Sequence, residues 1–234
     1  MRCHRLAFAL ATLVLPTVAV AQVEADSGRF RLFLRDEPIG WERFLVRETG
    51  SGLATEVTAI GESERQRTFS ETRRSKLVAR GLPPTAVRYE AEIHGTETVR
   101  LQATVQPLRL SVRRAVPVGE ELRELFLLPD AVVLDEDAVH LYRFLAQRTR
   151  AGTVELVDPV ALRRRRVRVR SEGETTVPWG RARIVLYRLR LEFDDRSVVY
   201  VWVDALNRAY RLERPADGFR AEREIGRASC RERV

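Results

Sequence analysis

Val87-Arg88-Tyr89-Glu90-Ala91-Glu92-Ile93-His94-Gly95-Thr96-Glu97-Thr98-Val99-Arg100-Leu101-Gln102-Ala103-Thr104-Val105 is the stretch that decides the fold. Val87, Tyr89, Ala91 and Ile93 alternate with Arg88, Glu90, Glu92 and His94. After Gly95-Thr96-Glu97, Val99, Leu101, Ala103 and Val105 alternate with Arg100, Gln102 and Thr104. A period of two sends successive side chains to opposite faces of a strand, and a short turn between two such runs makes an antiparallel hairpin. The hairpin has one apolar face and one charged face.

The same pattern runs outward in both directions. Beyond Pro107, Leu108, Leu110 and Val112 alternate with Arg109, Ser111 and Arg113. Near the start, Phe30, Leu32 and Leu34 form one face, Asp36-Glu37-Pro38-Ile39-Gly40 turns the chain, and residues 41–48 return with Phe44 and Val46 on one side. A turn at Thr49-Gly50-Ser51-Gly52 leads into residues 53–60. Residues 65–79 are polar with few anchors (Phe69, Leu77, Val78) and read as an edge strand. Toward the end, residues 166–170 and 184–193 alternate and Asp194-Asp195-Arg196-Ser197 turns. Residues 198–204 are apolar on both faces and therefore central, and residues 209–213 form a further strand after Asn207.

One segment breaks the period. Asp135-Glu136-Asp137 precedes residues 138–148, where Ala138, Leu141 and Leu145 form a stripe with Val139, Tyr142 and Ala146 beside it. Acids at the start and Arg143 and Arg148 toward the end match a helix dipole, which predicts one helix near residues 135–148. The apolar stretch 125–134, interrupted by Pro129, reads as a buried loop or short strand. The fold class is mainly β: one large curved antiparallel sheet, a half-barrel or open barrel, with one inserted helix. The apolar face of such a sheet must be covered, and a lone helix leaves part of it bare.

Length and composition suit one domain, placed at residues 22–223: 234 residues, 44% hydrophobic and 32% charged. The ends distort the formal charge of +8. Residues 1–21 read as a cleaved signal peptide, with Arg2 and Arg5 before an apolar run too short to span a bilayer and Ala19-Val20-Ala21 as a small-x-small site. No Cys follows that site, which argues against a lipoprotein anchor, so the mature chain is expected in the periplasm or secreted. Residues 224–234 resemble a short-read sequencing adapter translated in frame. Without the two arginines of residues 1–21, and the three arginines and one glutamate of residues 225–234, the body stands near +4. That is no case for a polyanion partner. The body also lacks Cys, which removes thiol catalysis, disulfides and Cys-metal sites.

The search for chemistry is mostly negative. His94 lies on the polar face of its strand and reads as a surface residue. His140 and Glu136 have the i,i+4 spacing of two metal ligands, but two ligands do not make a site, and the pair reads as a solvated helix face. Asp194-Asp195 offers paired carboxylates, yet its position between two strong strands makes it a turn. No catalytic residue, metal site or cofactor is assigned. Arg163-Arg164-Arg165-Arg166-Val167-Arg168-Val169-Arg170 is the most conspicuous run. On a strand, Arg164, Arg166, Arg168 and Arg170 share one face, which reads either as a solvent face paired with acids such as Glu192 or as a row meeting anionic head groups. Nucleic acid is not expected without an aromatic stacking platform.

The inserted Leu141-Tyr142-Arg143-Phe144-Leu145 and the final hairpin Val201-Trp202-Val203-Asp204-Ala205-Leu206-Asn207-Arg208-Ala209-Tyr210-Arg211-Leu212-Glu213 carry a resemblance over most of residues 29–214. The chain resembles the half-barrel of the periplasmic lipoprotein carriers (LolA/LolB type) and related bacterial domains of unknown function. Those carriers begin with a helix, whereas this chain begins with a strand. The resemblance implies an apolar concavity. The resulting expectation is a non-enzymatic binding or carrier protein holding a lipid-like ligand between sheet and helix, lined by Phe44, Tyr89, Leu101, Leu110, Tyr187, Leu189 and Leu191. The alternatives are an envelope structural or interaction protein with a fully packed core, for which those seven are plain core, and an uncharacterised hydrolase.

Overall fold

The computed structural model describes residues 23–66, 69–180 and 182–224. Residues 1–22, which include the segment read as a signal peptide, and the tail from residue 225 lie outside the described residues. Eight strands run first as a meander: β1 (Val23–Leu34), β2 (Glu37–Thr49), β3 (Glu56–Gln66), β4 (Ser70–Arg80), β5 (Thr85–His94), β6 (Thr98–Gln106), β7 (Arg109–Val116) and β8 (Gly119–Phe126). A short β9 (Val132–Val133), a 3-10 turn (Val139–Leu141) and α1 (Tyr142–Arg148) follow. A second meander comprises β10 (Gly152–Asp158), β11 (Arg163–Trp179), β12 (Ala182–Phe193), β13 (Val198–Val203), β14 (Ala209–Arg214) and β15 (Phe219–Arg223).

All fifteen strands belong to one sheet, ordered β8-β7-β6-β5-β4-β3-β2-β1-β15-β14-β13-β12-β11-β10-β9. Every neighbour pair is antiparallel except β9 with β10. The two meanders join where β1 pairs β15, with Phe30 opposite Arg223 and Leu34 opposite Phe219. Turn chemistry fixes the registers. Arg35 and Asp36 both take positive φ (51° and 68°), as a two-residue hairpin between right-twisted strands requires. Residues 198–204 are central, as expected: β13 lies between β12 and β14. Residues 65–79 are not an edge. Residues 65–66 end β3 and residues 70–79 form most of β4, in the middle of the first meander.

The covering element is longer than a helix. Residues 127–148 form a strap across the concave face, buried almost throughout, and α1 is only its last seven residues. Asp135-Glu136-Asp137 is not a first helical turn. Each of its carboxylates is taken by an arginine of the sheet, which is why acids stand there. Between strap and sheet the packing is close. A void of about 10 Å³ lies beside Leu77, Ala86, Val132 and Phe144, and effectively none beside Gly61, Ser75 and His140. Gly61 faces the strap in β3, and a Cβ there would stand 2.3 Å from His140 Cε1. The imidazole packs where a side chain would otherwise be.

Candidate ligand-binding cleft

One end of the concave face departs from the apolar rule. The alternation that buries Val57 and Ala59 in β3 and Leu77 and Ala79 in β4 also turns Arg65, Glu71 and Arg73 inward near the strand ends. The strap delivers Asp135, Glu136 and Asp137 to the same end. Arg73 Nη1 donates to Asp135 at 2.6 Å, and the Tyr89 hydroxyl donates to the same carboxylate at 2.6 Å. Glu136 accepts from Arg165 and Arg163, each at 3.0 Å. Asp137 takes Arg65 at 3.1 Å, Arg214 at 3.0 Å and Arg73 at 3.7 Å. Further along, Glu42 accepts from the Val139 and His140 backbone N–H groups (2.9 and 2.8 Å) and lies 2.8 Å from His140 Nδ1.

Charge and burial set the titration of these groups. Burial works against a charged Asp137, but the guanidinium groups of Arg65, Arg73 and Arg214 outweigh it and hold the carboxyl well below the usual range. Burial likewise opposes a charged Arg73, and Asp135 and Asp137 hold it protonated. Asp158 goes the other way. Burial and the nearby Asp135 push it up to about 6, against backbone N–H bonds from Ala161, Glu136 and Val160. Burial, followed by the Asp135 charge, also pushes the Tyr89 hydroxyl well up, so it stays a donor.

Beside this ionic web lies an open cleft of about 490 Å³. Inward positions of neighbouring strands build it: Arg65 of β3, Glu71 of β4, Ile93 of β5, Val99 of β6 and Arg114 of β7. Registers place Glu71 opposite Arg65 and Ile93 opposite Val99, and set Arg114 opposite Leu101. Phe69 and Ser70 flank one side, Gly95-Thr96-Glu97 the other, and Asp137 of the strap the back. The volume falls within the range of small-molecule sites. Toward the described residues, the Arg114 side chain forms no hydrogen bond or ion pair. Arg65 Nε is buried without a partner. Among the described residues, no three metal-ligating side chains converge.

The residues singled out in the sequence go elsewhere. Phe44 is buried, stacked on Phe30 (5.3 Å) and on the His140 ring (5.8 Å). Tyr89, Leu101, Leu110, Leu189 and Leu191 are buried in the core, and Tyr187 is half-buried against it. None of the seven lines the cleft. Arg164, Arg166, Arg168 and Arg170 do share the outward face of β11. Arg164 binds Glu155 at 2.5 Å and stacks on Phe126, while Arg166, Arg168 and Arg170 have no side-chain partner among the described residues. Arg168 stands opposite Glu192 in register, but no ion pair forms between them. His94 is exposed, as expected, 3.1 Å from Thr98 Oγ1. His140 is not on a solvated face: it is buried on Glu42, because the strap lies inside the sheet. Asp194-Asp195 is a turn, with Asp195 on Arg165 at 2.6 Å.

The sequence reading missed Arg65 and Arg114, although a signal was present. Arg113-Arg114 and Arg73-Arg74 are doublets within alternating strands, so one member of each must turn inward.

No protein-family model and no curated protein matches the chain. Among solved structures it is similar to a beta-barrel-like protein of a domain of unknown function, DUF1849, from Brucella abortus. The TM-score is 0.55 at 11% identity, over 88% of this chain and 98% of that one. The likeness is one of fold: a barrel-like, mainly β chain.

Proposed function

We propose that this protein is a non-enzymatic binding or carrier protein of the bacterial periplasm or of the secreted fraction. In this reading it takes the apolar part of a small amphipathic ligand in the cleft between β3–β7 and Asp137. The cleft carries the proposal: about 490 Å³ of open space with Ile93, Val99 and Phe69 at its wall, beside a closely packed strap. The resemblance to the lipoprotein carriers implies a ligand between sheet and helix; the close packing there moves the proposed site to the cleft beside the strap. Arg166, Arg168 and Arg170, bare on the convex face, suit a passing contact with an anionic membrane surface. No nucleic-acid partner is proposed.

Titration with the neutral probe N-phenyl-1-naphthylamine tests the cleft. Saturable fluorescence enhancement is expected, and Val99→Trp, which fills the space, is expected to abolish it without lowering the melting temperature. A wild-type protein that shows no saturation, and no co-purifying lipid in native mass spectra, rejects the carrier reading. The closely packed strap favours the second reading, an envelope interaction protein whose barrel is a scaffold. That reading predicts this negative result.

A further inference from the structure

We infer that the cleft holds an anion-binding subsite centred on Arg114, so that its ligand is an amphiphile whose head is a carboxylate or a phosphate. The inference rests on the carrier reading and adds the chemistry of the head group.

Arg114 is half-buried on the concave face of β7, with apolar Val99 on the neighbouring β6 and Ile93 beyond it on β5. A guanidinium in such a place normally has a carboxylate. The nearest candidate by register is Glu121, directly opposite on β8. Glu121 instead bonds Arg123, two residues along its own strand. None of the acids of the cleft pairs with Arg114. Asp137 is shared by Arg65, Arg73 and Arg214, and Glu71 lies 3.5 Å from Arg73. Glu97 has no counter-ion among the described residues, but it stands on the exposed β5–β6 turn, where water screens it.

Arg65 adds a second guanidinium to the wall, already paired with Asp137. Its side chain is only 3% exposed and its Nε–H is without a partner, although both terminal nitrogens are engaged by Asp137. The cleft therefore presents a free planar fork at Arg114, suited to bidentate carboxylate or phosphate, above side chains suited to a hydrocarbon. The exposed row Arg166, Arg168 and Arg170 lacks the apolar wall and faces the other side of the sheet.

Four compounds displacing N-phenyl-1-naphthylamine test this: dodecanol, dodecanoate, dodecyl phosphate and inorganic phosphate. Dodecanoate and dodecyl phosphate are expected to displace the probe about tenfold more tightly than dodecanol, as charge-assisted bonds predict. The advantage should shrink as salt is raised. Arg114→Gln should erase it, weakening dodecanoate and dodecyl phosphate about tenfold and dodecanol far less, with the melting temperature unchanged. Arg114→Lys should keep part of it. Equal binding of dodecanol and dodecanoate, or an advantage that survives Arg114→Gln, overturns the subsite and leaves the carrier reading standing. Failure of all three chains to displace the probe overturns the carrier reading itself. Calorimetry with inorganic phosphate alone separates the sources. Weak or no heat supports a lipid-like head group. Phosphate binding as tight as dodecyl phosphate, lost in Arg114→Gln, overturns the amphiphile and makes the ligand a free anion.

Discussion

Arg165 and Arg166 are adjacent in β11, and their surroundings have little in common. Arg165 points inward, buried on Glu136 and Asp195 with its guanidinium 3.8 Å from the Phe193 ring centroid. Arg166 points outward, with no side-chain partner among the described residues. The same contrast separates two regions. The strap end of the interior packs Arg65, Arg73, Arg165 and Arg214 against Asp135, Glu136 and Asp137, while the convex face of β11 sets Arg166, Arg168 and Arg170 in water. One step along a strand changes an arginine from a packed, paired group into a solvated one. Arginine count therefore says little about binding, and facing says most.

The largest effect expected from breaking this contrast is at Arg73. Arg73→Ala leaves Asp135 buried at 1% exposure, with only Tyr89 and the Asp137 backbone N–H for partners. Removing one partner of a buried pair costs about 3–5 kcal/mol. Arg168→Ala should stay within about 0.5 kcal/mol of wild type. Urea denaturation of both variants checks this, and equal midpoints would mean that the interior pairs do not fix the strap.

A second test concerns the strap's fit rather than its charge. Gly61→Ala places a methyl against the His140 ring, which is held between Phe44 and Glu42 and cannot withdraw easily. A loss of about 1–3 kcal/mol is expected. His140→Ala in the same chain should relieve part of it, so the double variant should be more stable than the two single losses add up to. Strict additivity would show that the ring is not seated against β3.

The third test uses pH. The folded carboxyl of Asp158 titrates at about 6, above its ordinary value of 3.8, so its ionisation disfavours the fold. Above pH 6 the full cost is present. As the pH falls from 6 toward 4 the folded state gains a proton first and the cost disappears. Stability measured from pH 7.5 to 5 should therefore rise by about 1–1.5 kcal/mol from this group. Asp158→Asn should flatten the rise. Asp137 has the opposite sign: its depressed value contributes stability that is lost only under more acid conditions, below the ordinary carboxylate range. A wild-type curve that falls from pH 7.5 to 5 contradicts the assignment of Asp158.

Much of this could be read from the residues, and what could not has physical causes. Period-two runs and their turns announce the meanders, because both signals are local. The pairing of β1 with β15 joins residues about 190 positions apart, and Phe219–Arg223 is a five-residue strand with no turn signal tying it to the start. The acids at 135–137 look like a helix start because helix dipoles attract carboxylates. Here tertiary partners attract them more strongly, and the chain stays non-helical until the 3-10 turn at Val139. Period alone equates the inward face with apolar residues. The arginine doublets at 73–74 and 113–114 contradict that equation within the sequence itself, and they lead to both the ionic web and the cleft.

The smallest stability effect is expected on the convex row, and there it sharpens the contrast. Arg166→Ala, Arg168→Ala and Arg170→Ala together remove three cations that touch nothing charged among the described residues, so the melting temperature should barely move. Near an anionic bilayer each basic group contributes about 1 kcal/mol and acts within a Debye length. Co-sedimentation with phosphatidylglycerol-containing vesicles at low salt should weaken severalfold or more in the triple variant, while displacement of the cleft probe stays unchanged. If vesicle binding is the same in wild type and variant, the row is only a solvated sheet face, and the two arginine populations differ in burial alone.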